Sequence, residues 1–404
     1  MSRRDLVPSS ENAALSQQLE EQLSLDDPPE VTLRKAFSVT SAISTTSSLA
    51  RRYREAATDQ SLQKFRAIGQ GSFGTVYEQT GTPYIFKGEI HPSLGENLLW
   101  EELVSHKVIN EAFESIKMLG INVHVPKVTD YITEDDLEWW EEHIEKFAED
   151  NKNLPERRDL IKAERIYPVP QIIRESLINV YCPDAVKNAA GASKANKDCL
   201  VRLYLGKDTD GRQSRFFTLR NFRLHKNQME KLGLNLKLFA EAMGQALAVI
   251  HWIAGTDARD VEFVLGSSPT EVHDIIPNSK ELRKMLPRSK LQPQVKGFHF
   301  EKRLVHIWCL DFNQVQHITL DTAGVQMCVD AFFANDPYYP RPGSTALWAT
   351  FSNSYLTTEK ALQKCENLPS MAKEDIQKIR THDLARLFLD AVETRWLQQQ
   401  ETKN

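Results

Sequence analysis

The chain has 404 residues, of which 41% are hydrophobic and 26% charged, with a formal net charge of −5. That is an ordinary globular balance, long enough for two lobes and a sizeable core. With a sequence pI near 6.2, it lacks the basic excess that duplex nucleic acid or an anionic membrane demands, so neither is an expected partner. No apolar run reaches the ~18 residues that a spanning helix needs, and the opening MSRRDLVPSSENAALSQQ has no signal-peptide apolar core. An intracellular protein, in cytoplasm or nucleus, is expected. The five cysteines, Cys182, Cys199, Cys309, Cys328 and Cys365, form no C-x-x-C pair and lack histidines at zinc-ligand spacing, so they are expected reduced and mostly buried.

Residues 1–57 are polar and serine-rich and read as a disordered, solvated tail. Within it, SSLARRYR sets serines beside arginines, as in a phosphorylation or targeting segment. From Phe65, the stretches FRAIG, GTVYEQ, a TGTP turn and YIFKGEI predict short strands. LGENLLWEELVSHKVINEAFESI follows as one amphipathic helix, with Leu98, Val104, Val108 and Phe113 as its apolar row. VHVPKVTDYI resumes as strand. Residues 135–152 predict an acidic helix with Trp140, Ile144 and Phe147 on one face. That face either covers its own core or docks a protein partner. RDLIKAERIYPVP gives a strand ended by prolines.

Residues 184–198 read as a loop, before a strand at CLVRLYLG and a further stretch, FFTLRNFRL. LKLFAEAMGQALAVIHWIAG is a strongly apolar helix, the expected centre of a second lobe. His251 at its end is expected to pack structurally, with a favourable dipole contact. VEFVLG alternates like a strand, Ser267 to Gly297 is a polar, basic insertion, and KRLVHIWCLDFN is again strand. The run Lys280 to Lys290 is either a solvated insertion or a phosphate-engaging or nuclear signal. NDPYYPRPG, Asn335 to Gly343, is expected as a rigid packed segment or a binding loop. The last helix has Leu384, Leu387, Phe388, Ala391, Val392 and Trp396 as its apolar face.

The chemistry concentrates at IGQGSFGTV, where Gly69, Gly71 and Gly74 stand in a G-x-G-x-x-G frame. In a dinucleotide fold such a loop opens a helix. Here β-branched and aromatic residues follow, favouring a strand. A glycine loop between two strands is suited to cover a nucleotide's phosphates, because residues without Cβ let backbone N–H groups approach and reach positive φ cheaply. Lys87, on the next strand with Ile85 on the same face, is then either the phosphate-binding lysine, with Val76 capping the cleft, or a solvent-facing lysine on a hairpin. A carboxylate from the following helix fixes such a lysine; Glu101 and Glu102 are candidates and Glu102 is favoured.

IGQGSFGTVY, YIFK and CLDFN, in that order, resemble the protein-kinase-like fold. LWEELVSHKV, ERIYPVP, HWIAGTDARDVEFVLG and NDPYYPRP are similar to an uncharacterised fungal domain family whose members are often named zinc-finger proteins. The likeness spans roughly Phe65 to Tyr355, and its zinc label finds no ligand set among these cysteines and histidines. It implies an α+β, two-lobed architecture: the tail 1–57, a strand-rich small lobe 58–166 with an acidic insertion, and a mainly helical lobe 167–404. Ala163 to Ile166 would be the hinge.

The resemblance also implies ATP and Mg2+ as cofactors. Gly69, Gly71, Gly74, Val76, Lys87 and Glu102 would form the nucleotide site, with Asp260 and Asp311 on metal. Phe312 would pack inward, and Asn313 replaces a glycine where asparagine tolerates positive φ. Asp311 is otherwise a strand-end turn residue. The catalytic loop departs from the pattern: IAGTDARD has no H-R-D, and Asp257 is the remaining candidate base. Asp257 and Asp260 are equally suited to forming turns. Ile85 also stands where kinases carry a small alanine. The expected function is an ATP- and Mg2+-dependent phosphotransferase of unknown acceptor, or a pseudokinase-like interaction module without turnover.

Overall fold

The computed structural model describes residues 27–38, 41–44, 48–71, 74–89, 98–147, 157–211, 216–272, 297–362 and 383–402. Over these residues the protein is a mixed α+β structure with eleven α-helices and two five-stranded sheets. No helix among the described residues is long and apolar enough to cross a membrane.

The chain begins with helix α1 (Pro29–Ala36), strand β1 (Ser41–Ser44) and helix α2 (Ser48–Thr58). This corrects the expected tail over its described part. Leu33, Ala36 and Phe37 join the main core, and Tyr53 of α2 is wholly buried. Neither helix carries a long apolar periodicity; helices this short are marginal alone and form because a few side chains dock on the rest of the protein.

The first sheet has the order β2-β3-β4-β6-β5, with β2 Phe65–Gln70, β3 Gly74–Gln79, β4 Tyr84–Glu89, β5 Val128–Ile132 and β6 Leu160–Glu164. All its pairings are antiparallel. The expected strands all form, since short alternating runs bounded by turn residues leave one face to bury. On that face Phe65 and Phe86 pack against Trp140 and Phe147. Trp140 lies in helix α4 (Leu137–His143), which continues into a 3-10 turn at Ile144–Phe147. The aromatic side of the acidic segment therefore covers its own sheet, with Phe147 stacked 3.9 Å from Phe65. Asp135, Asp136, Glu138, Glu141, Glu142 and Glu145 stay exposed, with Leu137 exposed among them; residues 148–152 of that segment lie outside the described ones.

Helix α3 (Leu98–Ser115) precedes β5, and its orientation corrects the expected apolar row. Leu98, Val104 and Val108 are exposed, at 42%, 43% and 37%, while Leu99, Glu102, His106, Ile109 and Asn110 are buried. The inner face carries polar groups with partners of their own, so apolar periodicity misleads about its rotation.

The second sheet has the order β1-β10-β9-β7-β8, with β7 Val201–Tyr204, β8 Phe222–His225, β9 Glu262–Val272 and β10 Gly297–Leu310. Only β7 and β8 pair in parallel. Helices α5 (Gln171–Tyr181) and α6 (Lys187–Ala192) precede it. The expected loop at 184–198 is thus mostly helical, with 3-10 turns on either side of α6. The polar insertion begins later than expected, because β9 runs on to Val272. Residues 273–296, including the Lys280 to Lys290 run, lie outside the described residues.

After α7 (Lys226–Lys231), helix α8 (Leu236–Trp252) buries thirteen of its seventeen residues. A helix apolar all round must sit inside a core. It packs beside α10 (Thr345–Leu362), with α9 (Thr322–Ala334) and α11 (Leu384–Glu401) completing the core. His251 is buried as expected, with Nδ1 2.9 Å from the Tyr355 hydroxyl. Tyr338 and Tyr339 are buried too, so NDPYYPRPG packs as a rigid segment. On α11, Leu384, Phe388 and Val392 are buried, while Leu387 is exposed. Cys182, Cys199, Cys309 and Cys328 are free and buried, as expected; Cys365 lies outside the described residues.

Candidate functional site

A cavity of about 340 Å³ separates the two sheets, within the size range of small-ligand pockets. The register of the first sheet builds its roof. Gly69 pairs with Val76, Val76 with Lys87 and Lys87 with Ile161, so these four stand in one row across the sheet. Paired residues share a face, and all four line the cavity.

The turn between β2 and β3 closes with Gly71 N–H donating to the Gly74 carbonyl at 3.0 Å; Ser72 and Phe73 lie outside the described residues. Neither Gly69 nor Gly71 has positive φ, so the conformational freedom expected of them is unused. Among the described residues clearance matters at Gly74 alone of the three: a Cβ there would lie 2.7 Å from the Gly88 carbonyl oxygen, whereas one at Gly71 would meet none of them within 4 Å.

Lys87 Nζ donates to Glu102 Oε1 at 2.6 Å and lies 3.7 Å from Asp311 Oδ1. The polar stripe Glu102, His106, Asn110, spaced i, i+4, i+8, sets this geometry. His106 Nε2 and Asn110 Nδ2 lie 2.7 and 2.9 Å from the Pro126 carbonyl, and Asn110 Oδ1 accepts from Val128 N–H at 3.0 Å. Those bonds lock the rotation of α3 and aim Glu102 at Lys87. Burial pushes His106 down to about 4; the neutral ring donates from Nε2. Burial also opposes the charge on Lys87, but Glu102 and Asp311 outweigh it, and the ammonium's pKa rises.

Asp311 directly follows β10, and Phe312 packs inward as expected, its ring 4.9 Å from that of His106. Positive φ falls on Asp311 itself, at 67°, and not on Asn313. Asn313 lines the cavity instead, and its buried Oδ1 has no hydrogen-bond partner among the described residues.

Asp260 reaches the cavity from the turn before β9; Asp257 does not. This corrects the expected base. Asp257 is buried, and its Oδ1 accepts from the N–H groups of Arg259 and Gln316 at 3.0 and 2.9 Å. Its carboxylate is spent on holding a turn, and burial raises its pKa. Asp260 also has positive φ, 60°, and its Oδ2 accepts from Gln314 Nε2 at 2.6 Å.

Two floor residues escaped sequence reading. Glu262 lines the cavity and is ion-paired with Arg202, which also reaches Asp336 at 3.3 Å. Burial, with Asp311, Asp260 and Asp336 nearby, pushes the Glu262 carboxyl up to about 7 against the pull of Arg202. A charged residue on the otherwise apolar run VEFVL was the available signal. Ile68, Val76, Ile85, Ala163, Leu200 and Leu310 add an apolar slot. Ile85 forms part of its wall, and the expected hinge, Ala163 to Ile166, borders it. The cavity can thus hold a flat apolar group at one part of its wall and an anion or a cation at the polar part.

Fold and site define an α+β protein with a ligand-sized cleft between two sheets. Within it, residues 307–367 match the model of the DUF3669 family, described as zinc finger protein. The match takes in the end of β10, Asp311, α9 and α10. No curated protein matches the chain. The description's zinc does not fit these residues: no group of three or more His, Cys, Asp or Glu side chains among the described residues is placed to hold a metal ion. Cys309 and Cys328, in the matched stretch, are buried with pKa values pushed up by burial, the reverse of what a thiolate ligand needs.

Proposed function

We propose that the cavity binds ATP with Mg2+ in a two-lobed, protein-kinase-like arrangement. The observation that carries this reading is Lys87 held between Glu102, at 2.6 Å, and Asp311, at 3.7 Å, directly across from Val76 of β3, just past the glycine turn. A charged ammonium beneath such a turn suits nucleotide phosphates, and the apolar slot suits a base. The residues present fit Mg2+: Asp260 and Asp311 offer carboxylates and Asn313 Oδ1 a buried, unpaired acceptor. This ion is commonly held by one or two carboxylates with phosphate oxygens and water. When bound it would neutralise phosphate charge; Lys87 would orient the phosphates and Glu102 would hold Lys87 in place.

The test is thermal denaturation with ATP and Mg2+ for the parent chain, Lys87→Ala and Asp311→Ala. A rise in the parent that both variants lose supports the reading, whereas no rise in the parent at millimolar nucleotide sinks it. Phosphoryl transfer to an unknown acceptor is the active form of this function. A second reading, a nucleotide-binding interaction module without turnover, is favoured by Asp257, whose carboxylate is committed to backbone N–H groups. A lysine-dependent thermal shift with neither phosphate release nor transfer selects it.

A further inference from the structure

Asn335, buried just past the end of α9, reaches back to the turn that presents Asp260. Its Oδ1 accepts from Asp260 N–H at 2.7 Å, and its Nδ2 donates to the Ala258 carbonyl at 2.9 Å. These bonds bracket a strained turn: Ala258 and Asp260 have φ of 57° and 60°, a region non-glycine residues visit at a cost and keep only where their surroundings enforce it. A planar amide supplies one acceptor and one donor from a single rigid group, matching the Asp260 N–H and the Ala258 C=O. Asp257 already serves the other side of the loop, through Arg259 and Gln316 N–H. Asn335 instead bonds the one residue of the turn that faces the cavity. Gln314 fixes that residue's carboxylate from the opposite direction, at 2.6 Å.

We propose that Asn335 is a positioning residue that fixes the Ala258–Asp260 turn so that the Asp260 carboxylate is offered to a divalent cation in the cavity. This rests on the nucleotide and metal reading above. Asn335 acts through Asp260 and touches no ligand itself.

The experiment uses the full chain with ATP and Mn2+ as the metal probe, bound Mn2+ being read by electron paramagnetic resonance. The variants are Asn335→Ala, Asp260→Ala and the double substitution. Asn335→Ala is expected to raise the half-saturating Mn2+ concentration about tenfold, the lower end of what loss of a ligand's supporting partner costs. In the Asp260→Ala background it is expected to add nothing, because coupled residues are not additive. No loss, or an equal loss in both backgrounds, overturns the proposal.

Amide hydrogen exchange without ligand tests the clamp separately. Asp260 N–H is expected to be protected in the parent and in Asn335→Asp, which keeps the acceptor, and to exchange faster in Asn335→Ala. If the parent holds no Mn2+ with ATP, the functional reading falls. Unchanged exchange in Asn335→Ala would overturn the clamp itself. Should Asn335→Ala not fold, the parent carries the exchange test, and an Asp260 N–H that is unprotected in it overturns the clamp.

Discussion

Arg66 of β2 and Asp198, ahead of β7, meet through two parallel hydrogen bonds of 2.7 and 2.8 Å that join the two sheets beside the cavity. Planar guanidinium and carboxylate forks match in this geometry, which fixes direction as well as distance. Arg66 Nε also donates to Glu78 at 2.7 Å; Glu78 is wholly buried, further hydrogen-bonded by Arg52 and Tyr53 of α2 and ion-paired with Arg165. One network therefore ties the N-terminal helix, the first sheet and the second. A double-mutant cycle of Arg66→Ala and Asp198→Ala is expected to give a coupling of about 1–2 kcal/mol in urea denaturation. A coupling near zero would mean that the sheets are joined by other contacts.

Glu262 gives the protein a pH signature. Its carboxyl, normally near 4.5, is pushed up to about 7. With the folded value raised, the unfolded chain gives up this proton first as pH rises. The contribution of Glu262 to stability thus falls between about 4.5 and 7 and is level outside that window. Glu262→Gln should remove this slope, worth on the order of 3 kcal/mol across the window. Chemical denaturation at a series of pH values measures it, and identical profiles for parent and variant would refute the assignment.

The rotation of α3 can be checked at the surface. Val104 is 43% exposed and Ile109 fully buried. Val104→Lys should shift stability by no more than about 0.5 kcal/mol, whereas Ile109→Lys, burying an unpaired charge, should cost more than about 4 kcal/mol. The reverse order would restore the apolar row expected from sequence.

Gly244 marks the close crossing of α8 and α10. A Cβ there would lie 2.5 Å from the Phe351 carbonyl oxygen, and closer still to Ser354 Oγ. Alanine gains about 1 kcal/mol of helix propensity over glycine, but a backbone clash outweighs it, so Gly244→Ala should destabilise by about 1–3 kcal/mol. Gly191 of α6 has nothing within 4 Å of the same position. Gly191→Ala should therefore be neutral or stabilising by up to about 1 kcal/mol. Thermal melts of both variants decide between sterics and propensity.

The sequence by itself determined what depends on near neighbours. Alternation and turn residues set the strands β2, β3 and β4, whose pairing places Val76 opposite Lys87. Continuous apolarity marked α8 as central, and a strand-end aspartate followed by phenylalanine marked Asp311. Tertiary structure decided what depends on distant partners. Bonds to Pro126 and Val128 turned Glu102 inward and left Leu98, Val104 and Val108 of the expected apolar row outside, while Phe113 still packs on the main core. Gln316 took Asp257 away from the cavity, and Asn335 fixed Asp260 facing it. Both contacts join residues more than fifty positions apart, a separation at which no local spacing tells a turn-forming aspartate from a cavity-facing one. The N-terminal helices belong with them, ordered because Tyr53 and Leu33 find buried places on the folded protein, which no property of their own short segments supplies.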